Sequence, residues 1–448
     1  MALASLRPLR RRSYALVWSA ALVSNIGSWM QTVAVGVYVT ARTGRSGWTG
    51  VVAAAAFLPI GLLSPVGGAL ADRLDRRRWL ILTTIGETAF AAALAVVVAA
   101  GRPSPGVVTL LVFGGGATAA IGFPAYQAML PDLVPTDELL AAVSLSSAQF
   151  NLGRVVGPAL AGIVIATAGY QWAFAANAAS FIAVIAALLA VRLPPPHPAA
   201  QERFLRRLIE GARAARDDAA CRTAVAMIAL VAVTASPFIA LVPAVALKIF
   251  HSGSRGTAVL VTAQGVGAVA GALALAPLAQ RLGRRRVLSA ALLGVCVALV
   301  GYAASPTLVV GAICITALGA AYIGVLSGLN TTIQLRAPVA VRARVLGIYM
   351  MALGVLYPVG ATVQGWVADY VGLREVTAGG AAALGLVVLI RWRRVKMALP
   401  ESGEGFAQTI DEPAPGFVSG QAADELRLRA ESIQRSTSAQ RSSSQLTS

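Results

Sequence analysis

Between residues 14 and 391 the chain is a succession of apolar stretches, most of them about 20 residues or longer, broken by short runs of Gly, Pro or Arg. That pattern admits few folds. Coiled as a helix, such a stretch crosses the roughly 30 Å hydrocarbon layer of a bilayer. With no water in that layer, each segment must satisfy its own backbone N–H and C=O groups, which makes the spans helical. The alternating segments of about ten residues that build a transmembrane β-barrel are not seen. Composition agrees, at 57% hydrophobic and 12% charged with a mean hydropathy of +0.72, where a soluble chain is about a quarter charged. An all-α, multi-pass membrane protein is expected. No cleavable signal peptide is expected, because the first apolar stretch runs on past Ala20 without a clear small-residue cleavage site.

Reading the apolar runs against Gly, Pro and charge gives twelve spans, near 14–40, 47–71, 79–100, 106–130, 139–168, 171–191, 223–247, 256–280, 287–304, 307–333, 344–369 and 373–391. The basic residues test this division. With the N-terminus inside, 26 of the 37 Lys and Arg fall on inner segments and six on outer ones (Arg42, Arg45, Arg102, Lys248, Arg255, Arg374). This is the positive-inside asymmetry, with both termini cytoplasmic. The net charge of +18 is thus an orientation and lipid-surface signal, and no nucleic-acid partner is expected. Cys221, Cys296 and Cys314 lie in or beside apolar helices without framework spacing and are read as small hydrophobes. With two histidines, His197 in a linker and His251 in an outer loop, no metal site is expected. A Walker-type Gly-x4-Gly-Lys-Ser/Thr is absent, so ATP does not drive the protein directly, and no cofactor or catalytic constellation is foreseen.

The chain repeats itself. At an offset of 208, Leu70, Ala71, Arg73 and Leu74 coincide with Leu278, Ala279, Arg281 and Leu282, and Arg76, Arg77 and Arg78 fall on Arg284, Arg285 and Arg286. At an offset of 203, Gly157, Gly162 and Gly169 pair with Gly360, Gly365 and Gly372. Both copies start inside, so two parallel six-helix bundles are expected, an arrangement typical of transporters. The divisions are a first bundle at 1–192, a cytoplasmic linker at 193–222, a second bundle at 223–395 and a disordered cytoplasmic tail at 396–448. The linker opens with the helix-breaking LPPPHP and continues as QERFLRRLIEGARAARDD, whose Phe204, Leu208 and Ala212 share one face, as in an interfacial amphipathic helix.

Few residues inside the spans could carry chemistry. Glu87 and Arg154 are the charged residues well within them, and a membrane-buried charge marks a pathway, a proton relay or a buried pair. The two could pair, or Glu87 could carry a proton. Asp72 and Arg76 are four apart in the basic turn and can face one way if that turn is helical. Gly153, Gly157, Pro158 and Gly162 bring small residues into one helix, allowing close contact and bending. Amides within or at the ends of spans add Asn25, Gln31, Gln127, Gln149, Asn151, Gln264, Asn330 and Gln334, and the aromatics Trp29, Tyr126, Tyr322 and Tyr357 join them.

Twelve spans in two parallel halves, with GALADRLDRRR (Gly68 to Arg78) between the second and third, resemble the major facilitator superfamily. Its loop signature runs Gly-x-Leu-Ala-Asp-Arg-x-Gly-Arg-Lys/Arg, and Asp75 stands where Gly is usual. GRVVGPALAG (Gly153 to Gly162) is similar to the antiporter signature of export-direction members, with Ala161 for one of its glycines. LVSNIGSWMQTVA (Leu22 to Ala34) and ARVLGIYM look like the exporter branch that holds enterobactin-type siderophore exporters and macrolide efflux proteins. The resemblance implies a small-molecule exporter working by alternating access, monomeric, with protons as the coupling ion, in the inner membrane. It implies an inner-gate latch of Asp72, Arg73 and Arg76, with Asp132 as the acid opposite Arg76. It also favours Asn25, Gln31, Tyr126 and Asn330 as cavity residues, since helices 1, 4, 7 and 10 line the cavity in that superfamily. The arginine that many drug/proton antiporters carry in helix 4 is missing from LLVFGGGATAA (Leu110 to Ala120). Import, or a non-transporting receptor or scaffold on the same fold, are the alternatives.

Overall fold

In the computed structural model, residues 6–191 and 204–390 are described, and they form helices with no strand among them. Boundaries fall at capping and breaking residues. Helix α1 (Arg12–Thr43) stops at Gly44, whose φ of +63° is the left-handed conformation that glycine adopts without strain. It is followed by α2 (Ser46–Ala71) and then α3 (Arg76–Ala100), whose N-cap Asp75 accepts from the Arg78 N–H. Ser104 caps α4 (Pro105–Leu133), and a single 3-10 turn, Thr136–Glu138, leads into α5 (Leu139–Thr167) and α6 (Tyr170–Ala190). The amphipathic linker segment forms α7 (Phe204–Asp217). Next come α8 (Ala219–Thr234), α9 (Pro237–Lys248), α10 (Gly253–Leu282) and α11 (Arg284–Ala304). The series ends with α12 (Leu308–Arg336), α13 (Val339–Val371) and α14 (Leu373–Ile390). His197 and the tail from 396 lie outside the described residues, as do the bundle boundaries at 192–193 and 395–396.

Among the described residues eleven segments are long and apolar enough to cross a membrane, with α8 and α9 together making one of them. Helix α1, at 32 residues, has the length but is not among the eleven. Its polar residues Ser24, Asn25, Ser28, Gln31 and Thr32 lower its hydropathy. Large apolar side chains point outward, Leu110 at 68%, Leu273 at 75% and Leu389 at 74% exposed, as surfaces bathed by lipid tails require.

The stretch 223–247, expected as one span, is broken. Pro237 lacks the N–H that would continue the ladder, so α8 ends at Thr234 and α9 starts anew. The carbonyls freed at the break find donors. Gln364 of α13 gives its Nε2 to Val233 O at 2.8 Å and Thr234 O at 2.9 Å. Ser236 Oγ, buried in the break, lies 2.8 Å from the Tyr322 hydroxyl of α12. A membrane helix tolerates such a break where neighbouring helices satisfy the backbone.

Glycines set how closely helices approach. A Cβ on Gly153 would lie 2.9 Å from Asn25 Cβ, and one on Gly157 would lie 2.7 Å from Ile26 O, so α5 rides directly on α1. Farther along α5, a Cβ on Gly162 would meet Ala258 of α10 at 2.8 Å. Helices α2 and α13 run antiparallel, with Gly47 against Trp366, Gly50 against Ala361 and Gly61 against Gly354.

Candidate transport cavity

Helices α1, α2, α3, α4, α6, α9, α10 and α13 enclose a cavity of about 240 Å³. One side is polar. Helix α1 contributes Ser28, Gln31 and Thr32, whose spacing of three and four puts them on one face. Asn177 of α6 donates its Nδ2 to Gln31 Oε1 at 2.9 Å, and its Oδ1 accepts from Ser180 Oγ at 3.3 Å. The other side is aromatic and aliphatic, with Trp29, Phe57, Phe181 and Tyr357, and Phe57 meets Tyr357 edge to face at 5.6 Å. A few convergent polar groups in an otherwise apolar enclosure is the usual form of a small-molecule site.

Two charges belong to this region. Glu87 of α3 lines the cavity, with neither ion pair nor hydrogen bond among the described residues. Arg154 of α5 stands behind the wall, its Nη2 donating to Gln264 Oε1 at 2.8 Å and its guanidinium carbon 5.5 Å from the centroid of Trp29. Gln264 and Trp29 both line the cavity, so Arg154 holds two wall residues from different helices. The hydrogen-bonding capacity is unfilled, since Arg154 Nε and Gln264 Nε2 are buried without partners among the described residues. Arg154 and Glu87 do not pair.

The remaining sequence-predicted residues are dispersed. Arg76 and Asp132 meet as expected, Nη1 to Oδ2 at 2.8 Å, with a second bond to Ala128 O at 3.3 Å. Asp72 caps the end of α2 through its backbone, and its side chain is exposed, with no partner among the described residues. Arg73 neighbours it and is exposed as well. Gly153, Gly157, Pro158 and Gly162 are all buried. Of the four expected cavity residues only Gln31 is on the wall. Asn25 packs on Gly153, Tyr126 packs in the cluster around Tyr14 and Met129, and Asn330 accepts from Gln334 at 2.5 Å. Asn177 was not anticipated; its signal was a single amide within the apolar WAFAANAASF.

The profile of the transmembrane secretion effector family matches residues 3–415. The chain belongs to that family, within the major facilitator superfamily. It is 25% identical over 383 residues to the enterobactin exporter EntS of Citrobacter koseri, covering 84% of this chain and 90% of that one. It is 26% identical over 401 residues to the staphyloferrin A transporter of Staphylococcus aureus, covering 87% and 99%. Among solved structures it resembles a bacterial homologue of the human lysosomal transporter Spinster in an inward-facing, unoccupied conformation. The TM-score is 0.67 at 14% identity, over 92% of this chain and 100% of that one. A bacterial homologue of the iron transporter ferroportin, also inward-facing, gives a TM-score of 0.65 at 17% identity over 85% and 98%. Family and fold make the chain a multi-pass membrane transporter.

Proposed function

We propose that this transporter exports a small amphiphilic organic molecule, of the siderophore or drug class, across the bacterial inner membrane by alternating access and in exchange for protons. The observation that carries this reading is the cavity itself, lined by the amides Gln31, Asn177 and Gln264, by aromatic side chains, and by a carboxyl with no partner among the described residues. The two relatives described above are by name an enterobactin exporter and a staphyloferrin A transporter, which supports a substrate with several polar groups on an apolar frame. The chain spans the membrane twelve times, α1 included and α8–α9 counted once, in two six-helix halves at 1–192 and 223–395. Both termini face the cytoplasm, where 26 of the 37 basic residues gather. The protein works as a monomer, and the Arg76–Asp132 pair stiffens its inner face beside Asp72 and Arg73.

Glu87 carries the proton. It is a carboxyl within the membrane that faces the cavity and is committed to no cation, which leaves it free to exchange a proton with an entering substrate. The substrate comes from comparing retained and secreted metabolites between cells with and without the gene, alongside a drug panel. The coupling comes from the purified protein in liposomes, with that substrate and an imposed pH gradient. Glu87→Gln should keep downhill exchange and lose proton-driven accumulation. Full proton-driven accumulation by Glu87→Gln removes Glu87 from the relay, and no gradient-dependent flux by the parent refutes export.

A further inference from the structure

The seam between α2 and α13 is bound at one end by charge. Asp369, near the end of α13, accepts from the first two backbone N–H groups of α2, Ser46 N to Oδ1 at 2.7 Å and Gly47 N to Oδ2 at 2.9 Å. Lys248, the last residue of α9, donates to the same Oδ1 at 3.0 Å and to Ser46 Oγ at 3.1 Å. The carboxylate thus sits where the helix dipole of α2 is positive and its N–H groups lack intrahelical partners, with a lysine completing the shell. It is 12% exposed, and Ser46 is fully buried. The approach is close because the facing residues are small. A Cβ on Gly365 would meet Ser46 O at 2.7 Å, and one on Gly50 would meet Ala361 O at 2.2 Å.

The close glycine contacts do not continue to the opposite ends of these two helices. A Cβ on Gly347 of α13 would meet nothing within 4 Å, one on Gly68 of α2 would only just touch Pro124 of α4 at 4.0 Å, and Asp72 is exposed. Among the described residues the α5–α10 seam has no such carboxylate clamp. In the internal repeat Asp369 falls on Ala166 of α5, and Gly162 meets Ala258 there through methyl-sized contact.

We infer that Asp369, with Lys248, is the outer gate latch of the transport cycle, a positioning residue that holds α13 on the start of α2 while the cavity is closed to the outside. Breaking it frees the start of α2 and opens that end. The assignment of this end to the outside rests on the orientation proposed above; the clamp and its release do not. The charge is essential to the device, because two N–H donors and an ammonium converge on one carboxylate. Asparagine offers a single acceptor oxygen and no charge. Methionine at 248 keeps the stem and removes the donor.

The test reads distance rather than transport, so it stands or fails apart from the proposed export. Cys221, Cys296 and Cys314 are replaced by alanine, spin labels are attached at Ala41→Cys and Tyr370→Cys, and double electron–electron resonance is recorded in lipid nanodiscs. The parent should give a single short distance. Asp369→Asn should lower the closed-to-open ratio by about tenfold, the factor carried by one charge-assisted hydrogen bond, and shift population to a longer distance. Lys248→Met, whose side chain is already one-third exposed, should shift it the same way and stands in if Asp369→Asn does not fold. Asp72→Asn, at the other end of α2, should leave this distance as in the parent. Parent-like distributions in both Asp369→Asn and Lys248→Met overturn the latch, as does equal opening by Asp72→Asn.

Discussion

Replacing Arg154 by Met separates a functional cation from a structural one, because the two roles predict opposite balances of stability and transport. The interactions that Arg154 makes are few. Its hydrogen bond to Gln264 contributes about 1.5–3 kcal/mol as a charged bond. Its contact with Trp29 adds roughly 0.5–2 kcal/mol as a cation–π pair. Against these stands the cost of keeping a guanidinium out of water, several kcal/mol for a lone ion, with Nε left unpartnered. The sum is near zero or unfavourable, so Arg154→Met should leave the melting temperature in detergent within a few degrees of the parent or raise it. Transport should respond otherwise. If the free donors of Arg154 are held for an anionic or hydroxyl group of the substrate, one charged bond lost is about ten- to a hundredfold in apparent affinity. Arg154→Lys keeps the charge but loses the flat face that Trp29 contacts, and should fall between. The assays are differential scanning fluorimetry and initial uptake rates in liposomes, both normalised to folded protein. A large drop in melting temperature with unaltered affinity per folded molecule refutes the reasoning and makes Arg154 a strut between α5 and α10.

Two further substitutions test the frame around the cavity. Arg76 and Asp132 are 17% and 19% exposed, so a thermal-stability cycle of Arg76→Gln, Asp132→Asn and the double variant should give a coupling of about 1–3 kcal/mol; additive effects would show that the pair is incidental. Gly157→Ala sets a methyl 2.7 Å from both Ile26 O and Trp29 Cβ, where backbone cannot yield, and should destabilise by roughly 1–3 kcal/mol. Gly379→Ala, where a methyl meets nothing within 4 Å, is the control and should be neutral or stabilising. Equal melting temperatures for the two glycine variants would mean that α1 and α5 are not locked together at Gly157.

What could be read from residues alone followed from how local each signal is. Helix ends were legible to within a few residues because Gly44, Asp75 and Ser104 act on their own neighbours. The family resemblance called for an acid opposite Arg76, and the segment between the fourth and fifth spans, which holds Asp132, Asp137 and Glu138 and no Lys or Arg, offered Asp132. The break in the seventh span was signalled by Pro237, yet a proline only removes a hydrogen bond. Whether the helix kinks or parts depends on who receives the freed carbonyls, and here that is Gln364, about 130 residues away. The same holds more strongly for the seam. In sequence Asp369 is one acid near the end of an apolar stretch, and Ser46 a small residue after a turn. They are 323 positions apart, and neither Ser-Gly nor Ala-Asp carries a motif. Only the antiparallel crossing of α2 and α13 brings the acid onto two free N–H groups. Charges that act within a turn leave a signature of spacing, whereas charges that act across a seam leave none, and in a transporter it is the seams that must open.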